Sequence, residues 1–132
     1  MKDRFEELAE IWFKKAEDDL KWARYSLKGK FYGITCFGCQ QIVEKSLKAY
    51  LFSRKEKLIR THNLIKLLRL ARKHDQVFKK LNSACEILSQ YYTDTRYPDI
   101  WDYSRFDDKK LAKEAVKLAQ KVLVFVKKKL KS

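Results

Sequence analysis

Gln41, Glu44, Lys45 and Lys48 recur at i, i+3, i+4 and i+7, the spacing that puts side chains on one face of a helix. An amide, a carboxylate and two ammonium groups so placed have the chemistry to contact an anion or a nucleotide. They can also satisfy one another, as a Glu44–Lys48 pair at i, i+4 with Gln41 hydrogen-bonded across a bundle. Residue types alone favour this second, structural arrangement. Downstream, Thr61-His62-Asn63-Leu64 offers an imidazole at a helix start. It can hydrogen-bond a neighbouring helix or donate and accept a proton; for a lone histidine the structural role is favoured. A third segment, Tyr91-Tyr92-Thr93-Asp94-Thr95-Arg96-Tyr97-Pro98-Asp99, sets an arginine among acids and aromatic rings. Arg96 suits a planar or phosphorylated ligand there, and equally suits an ion pair to Asp94 or Asp99.

The cysteines do less. Cys36-x-x-Cys39 lacks the second ligand pair of a zinc site, since Cys85 stands alone and His62 and His74 lack ligand spacing. Without a βαβ setting it is not a thioredoxin-like site either. All three read as small buried residues. No metal and no cofactor is expected. Met1 leads straight into charged residues with no apolar signal core, and no run of eighteen apolar residues occurs, so a cytoplasmic location with no membrane association is expected.

These residues must be held by helices. With 3 Gly and 1 Pro in 132 residues there is little turn chemistry for a sandwich or barrel. The 45% hydrophobic content excludes a disordered basic tail despite a net charge of +14. Phe5, Leu8, Ile11, Trp12, Ala16, Leu20, Ala23 and Leu27 form a helical stripe stopped by Gly29. A second helix is expected from about Tyr32 to Phe52, with Gly33 and Gly38 allowing close helix approach. Thr61 is expected to cap a third, with Leu64, Ile65, Leu67, Leu68 and Ala71. Asp75 is expected to cap a fourth bearing Val77, Phe78, Leu81, Cys85, Leu88 and Tyr92. Residues 93–106 break the period, and Asp107 or Asp108 caps the last helix. The fold expected is one all-α domain over residues 1–132, an up-down antiparallel bundle of four long helices plus a shorter one.

Charge divides that bundle. Residues 1–20 carry 4 basic and 7 acidic side chains and residues 81–108 carry 2 and 6, whereas residues 21–60 carry 10 and 2. A basic body with two acidic islands suits an anionic partner, either nucleic acid or an acidic protein surface.

The order of the segments resembles the HEPN family, the higher eukaryotes and prokaryotes nucleotide-binding domain. Gln40-Gln41-x-x-Glu44-Lys45-x-Leu47-Lys48-Ala49 comes first, then Thr61-His62-x-Leu64, then Arg96-Tyr97-Pro98-Asp99. Ala16-Glu17-Asp18-Asp19-Leu20 and Gly29-x-Phe31-Tyr32 are similar to the family's opening helix and first turn. The resemblance covers nearly the whole chain. It implies a helical bundle that dimerises and is the partner of a minimal nucleotidyltransferase in a toxin–antitoxin-like pair, with nucleotide or RNA contacts. Gln41, Glu44, Lys45, Lys48, His62, Arg96, Tyr97 and Asp99 are the candidate residues for nucleotide, RNA or partner contact.

Many HEPN proteins are metal-independent ribonucleases with an Arg followed four to six residues later by His. The cation stabilises the phosphorane and the imidazole transfers protons. Here the positions after Arg96 hold Trp101, Asp102 and Tyr103, so the histidine is absent. Arg69 and His74 match the spacing formally, but on the wrong helix. No residue is therefore assigned a catalytic role. The alternative is a ribonuclease with an altered site built on Arg96, His62 or Tyr97.

Overall fold

A computed structural model describes residues 1–92 and 106–131. Among the described residues all regular structure is helical: α1 (Arg4–Lys28), α2 (Tyr32–Ser53), α3 (Leu64–His74), a 3-10 segment (Gln76–Leu81), α4 (Asn82–Ser89) and α5 (Lys109–Leu130). The all-α bundle expected from composition is the fold observed.

Asp3 caps α1, its carboxylate accepting from the Glu6 amide at 2.8 Å. The buried face of α1 is Ala9, Phe13, Ala16, Leu20 and Ala23. Phe13 replaces Ile11 of the expected stripe, and Ile11 is exposed. At 100° per residue Ile11 lies about 150° from the centre set by Ala16, Leu20 and Ala23.

The central helix is α2, with 15 of its 22 residues buried, including Thr35, Gln40, Glu44, Ser46 and Lys48. Apart from its two ends, the residues left unburied are Ile34, Phe37, Gly38, Gln41 and Lys45, which trace one line along the helix. Gly38 corrects an expectation: among the described residues a Cβ added there would meet nothing within 4 Å, so it serves no close approach between the described helices. Gly38→Ala should therefore raise stability by about 1 kcal/mol through helix propensity alone. A lower urea midpoint for the variant would contradict this.

Gly29 and Lys30 divide the work of the α1–α2 turn. The left-handed residue is Lys30 (φ 67°), not Gly29 (φ −78°). A Cβ at position 29 would sit 3.1 Å from the exposed Phe31 ring, which would have to shift by a few tenths of an ångström to admit it.

Asn63, rather than the expected Thr61, caps α3, accepting from the Lys66 amide at 3.0 Å. Thr61 Oγ1 instead accepts from the Asn63 amide, which prepares the cap from two residues upstream. The fourth helix is composite. Asp75 caps a 3-10 segment, accepting from the Val77 amide at 2.9 Å, and α4 follows. Three residues per turn align Phe78 and Leu81, and both are buried. Because α4 ends at Ser89, Tyr91 and Tyr92 no longer follow helical phase: Tyr91 is buried and Tyr92, expected in the core stripe, is exposed.

Contacts between elements set their directions. Ser26 meets Thr35 at 2.6 Å, Lys45 pairs with Asp19 and Trp12 packs on Phe52, so α1 and α2 are antiparallel. At the C-terminal end of α2, Tyr50 packs on Phe78 (4.3 Å between ring centroids) and Phe78 on Phe125 of α5 (5.0 Å). At the other end Tyr91 meets Phe106 edge-on. The 3-10 segment and α4 therefore run back along α2, and α5 runs antiparallel to α1. Lys129 of α5 reaches Asp75 at 2.7 Å and holds its carboxyl below the usual range.

Cys36, Cys39 and Cys85 are free and buried. Burial pushes the Cys36 thiol up to about 11 and that of Cys85 to about 12, and raises Cys39 as well. Thiols rather than thiolates are the folded species, so none is poised as a nucleophile. Iodoacetamide at pH 8 should leave all three unmodified in the native protein and alkylate all three in denaturant, as mass spectrometry would show. The linked effect on stability has one sign. In the unfolded chain the thiols ionise near 9, whereas the folded ones resist, so stability falls as pH rises from about 9.

Candidate functional site

Glu44 is the centre of the polar cluster. Its carboxylate, 9% exposed, accepts from Lys48 Nζ at 2.9 Å through Oε2 and contacts His62 Nδ1 at 2.9 Å through Oε1. Lys48 is equally buried, with its ammonium 5.4 Å from the centre of the Trp12 ring. The i, i+4 pair expected from spacing is thus formed, and a histidine from the start of α3 shares it.

The rest of the expected quartet goes elsewhere. Lys45 pairs with Asp19 of α1. Gln41 is half-buried and makes no hydrogen bond among the described residues; its neighbour Gln40, wholly buried, makes the cross-bundle bond instead, donating Nε2 to the His62 carbonyl at 3.0 Å. The split has a geometric cause. Residues at i, i+3, i+4 and i+7 span about 100° of arc, wide enough for one edge to face α1 and the other His62.

Two contacts therefore fix His62, one through its backbone from Gln40 and one through its ring from Glu44. A carboxylate only accepts, so Nδ1 carries the hydrogen, an assignment made from the partner. Nε2 is left without a contact among the described residues, on a side chain that is 58% exposed. Tyr92 stacks on the imidazole, with centroids 4.9 Å apart and planes 17° from parallel. Around the pair lies an open cleft of about 630 Å³, lined by Arg60, Thr61, His62, Asn63, Leu64, Ile65, Ser89 and Tyr92. Chemically it offers one guanidinium, one oriented imidazole and one stacked ring, a set suited to a phosphate ester with an attached base.

Arg60 escapes a reading of the sequence, and Tyr92, though inside the aromatic segment 91–99, is not singled out by it. Arg60 belongs to a charged connection with no pattern of its own. Tyr92 falls on a helical stripe that stops before reaching it. Arg96, Tyr97 and Asp99 lie outside the described residues, as do Trp101, Asp102 and Tyr103. The formal Arg69 and His74 match is no dyad at this cleft: His74 contacts Glu56 at 3.4 Å and packs edge-on to Tyr50, at the far end of α3 from His62. No group of three His, Cys, Asp or Glu side chains able to hold a metal occurs among the described residues. No helix of these residues is long and apolar enough to cross a membrane. A second cleft of about 600 Å³ lies beside the first half of α1, but Lys55 there is already paired with Asp3 and Glu6, and nothing in it converges on a ligand.

The family model described as HEPN domain matches residues 9–129. The chain belongs to the HEPN family. Among solved structures, this HEPN chain is similar to TT1696 from Thermus thermophilus, with 34% identity and a TM-score of 0.81 over 92% of this chain and 97% of that one. It is also similar to ST0689, an archaeal HEPN homologue, with 30% identity and a TM-score of 0.75 over the same shares. No curated protein matches it. In this HEPN protein the first two segments of the family resemblance, around Glu44 and around His62, meet in one cluster.

Proposed function

We propose that the cleft beside His62 binds a nucleotide or an RNA phosphate, and that the protein acts as the partner of a minimal nucleotidyltransferase in a toxin–antitoxin-like pair. The observation that supports binding is the doubly held imidazole. Glu44 and Gln40 orient His62 with Nε2 outward, beside Arg60 and a stacked Tyr92. An anionic ester gains from such prepositioned donors because little ordering is left to the moment of binding. Membership of the HEPN family supports the nucleotidyltransferase, and with it a homodimer, as the working assembly.

The chain has two histidines, which gives a clean test. Titration with AMP or UMP should move the ring resonances of His62 and leave those of His74 in place. Equal movement of both, or of neither, would refute the site. For the partner, the adjacent gene should encode a minimal nucleotidyltransferase whose product co-elutes with this chain; a different neighbour, or separate elution at micromolar concentrations of both, would end that part of the proposal.

A second reading has one specific observation in its favour. A carboxylate behind Nδ1 is the arrangement that prepares Nε2 to take a proton. The ribonuclease alternative therefore rests on His62, with Arg96 as the cation. Metal-free cleavage of total RNA should then disappear in His62→Ala and in Arg96→Ala. RNA left equally intact by wild type and both variants removes it.

A further inference from the structure

Away from the His62 cleft, the α1–α2 corner carries an uncovered aromatic surface. Trp22 is 71% exposed, Tyr25 74% and Phe31 60%. Trp22 and Tyr25 stand edge to face with centroids 6.2 Å apart, and together with Asp18 and Lys21 they line an open depression of about 540 Å³. Phe31 lies at the same corner, its ring beside the space that a Cβ on Gly29 would take.

Apart from Asp18, the charges around these rings are cationic. From Leu20 to Val43 the chain has four cations, Lys21, Arg24, Lys28 and Lys30, and no acid. All four are exposed, and none forms an ion pair among the described residues. On α1, Lys21, Trp22, Tyr25 and Lys28 fall within about 120° of arc, so rings and ammonium groups share one outward face. Asp18, one turn earlier, is taken up by Lys14 at 3.0 Å.

We propose that this corner is a binding surface for single-stranded nucleic acid, with unpaired bases on Trp22, Tyr25 and Phe31 and phosphates on Lys21, Arg24, Lys28 and Lys30. Exposed rings beside a cationic track are what a strand with free base faces requires, and such stacking is tolerant of sequence. Paired bases present no free faces, so a duplex meets the cations alone. A second copy is disfavoured, because a twofold contact would set these four cations against their own twins. A bilayer is disfavoured because the apolar face of α1 that would have to enter it, Phe13, Ala16, Leu20 and Ala23, is already buried in the bundle. This surface is separate from the His62 cleft and does not depend on it.

Fluorescence anisotropy with labelled rU12, dT12 and a twelve-base-pair duplex tests the proposal on the full chain. Wild type should bind one or both single strands at least tenfold more tightly than the duplex, and the two strands show whether RNA or DNA is preferred. Trp22→Ala with Tyr25→Ala should weaken single-strand binding at least tenfold while leaving the salt dependence nearly unchanged. Lys28→Glu with Lys30→Glu should flatten the salt dependence. Trp22→Ala with Tyr25→Ala should leave the shift of the His62 ring resonances on AMP titration in place, so loss of the corner and loss of the cleft give different patterns. Four results overturn the proposal. They are no single-strand binding by wild type, full affinity in the double aromatic variant, a change of oligomeric state in that variant by light scattering with affinity intact, or Trp22-dependent binding to phosphatidylserine vesicles in place of oligonucleotides.

Discussion

Glu44→Ala should cost about 3–5 kcal/mol of folding stability, because it strands a buried ammonium. Lys48 is 6% exposed, and its hydrogen-bonded anion is Glu44. The cation–π contact with Trp12 offsets little of that loss, since such contacts contribute only about 0.5–2 kcal/mol and this one is already present. The loss belongs to the unpaired charge, so removing the charge as well should restore most of it. Lys48→Met added to Glu44→Ala should bring the urea midpoint most of the way back, since an apolar replacement of a buried pair is often neutral or better. A double variant no more stable than Glu44→Ala would show that Glu44 contributes through His62 instead. His62→Ala separates the two routes: its ring is largely exposed, so its loss should cost about 1 kcal/mol, the size of one hydrogen bond.

Phe78→Ala carries the other large effect, an expected loss of about 3–5 kcal/mol. The ring is wholly buried between Tyr50 of α2 and Phe125 of α5, and it belongs to the 3-10 segment that starts the return along α2. Truncation opens a cavity where three elements meet, and two aromatic neighbours cannot both collapse into it. Against a typical total stability of roughly 5–15 kcal/mol, either substitution leaves a marginal protein. Phe78→Leu should lose much less, and chemical denaturation of the pair measures the cavity contribution. A loss below about 1 kcal/mol for Phe78→Ala would mean that the ring is not a packing centre.

Spacing proved most informative where one helix supplies both partners. Glu44 and Lys48 stand four apart and pair, because that separation decides their distance. Choices between neighbours were not legible in the same way. Gln40 or Gln41, Tyr91 or Tyr92, Ile11 or Phe13 each differ by about 100–200° of helical phase or by the point where a helix ends, and both depend on the packing of other elements. The cap of α3 is a similar case. Thr61 and Asn63 are both good caps by type, and only the path of the preceding connection selects Asn63. The site was half visible. Glu44 and His62 lie on separate segments, and bringing them together is a property of the fold. Composition alone sufficed for the all-helical class, since it leaves so few turn formers.

The burial of α2 on nearly every side has a consequence for how the molecule opens. A helix that shares its surface with α1, α3, α4 and α5 cannot unfold locally without undoing all four. Its amides from Ile42 to Leu51 should therefore exchange with solvent only through global unfolding, and more slowly than those at the ends of α1 and α5, which hydrogen exchange read by NMR would show. Glu44 sits within that slowest-exchanging stretch. The carboxylate that meets His62 is therefore held as durably as the folded state itself, whereas the cleft, lined by residues 60–65, Ser89 and Tyr92, opens whenever the start of α3 or the end of α4 lets go.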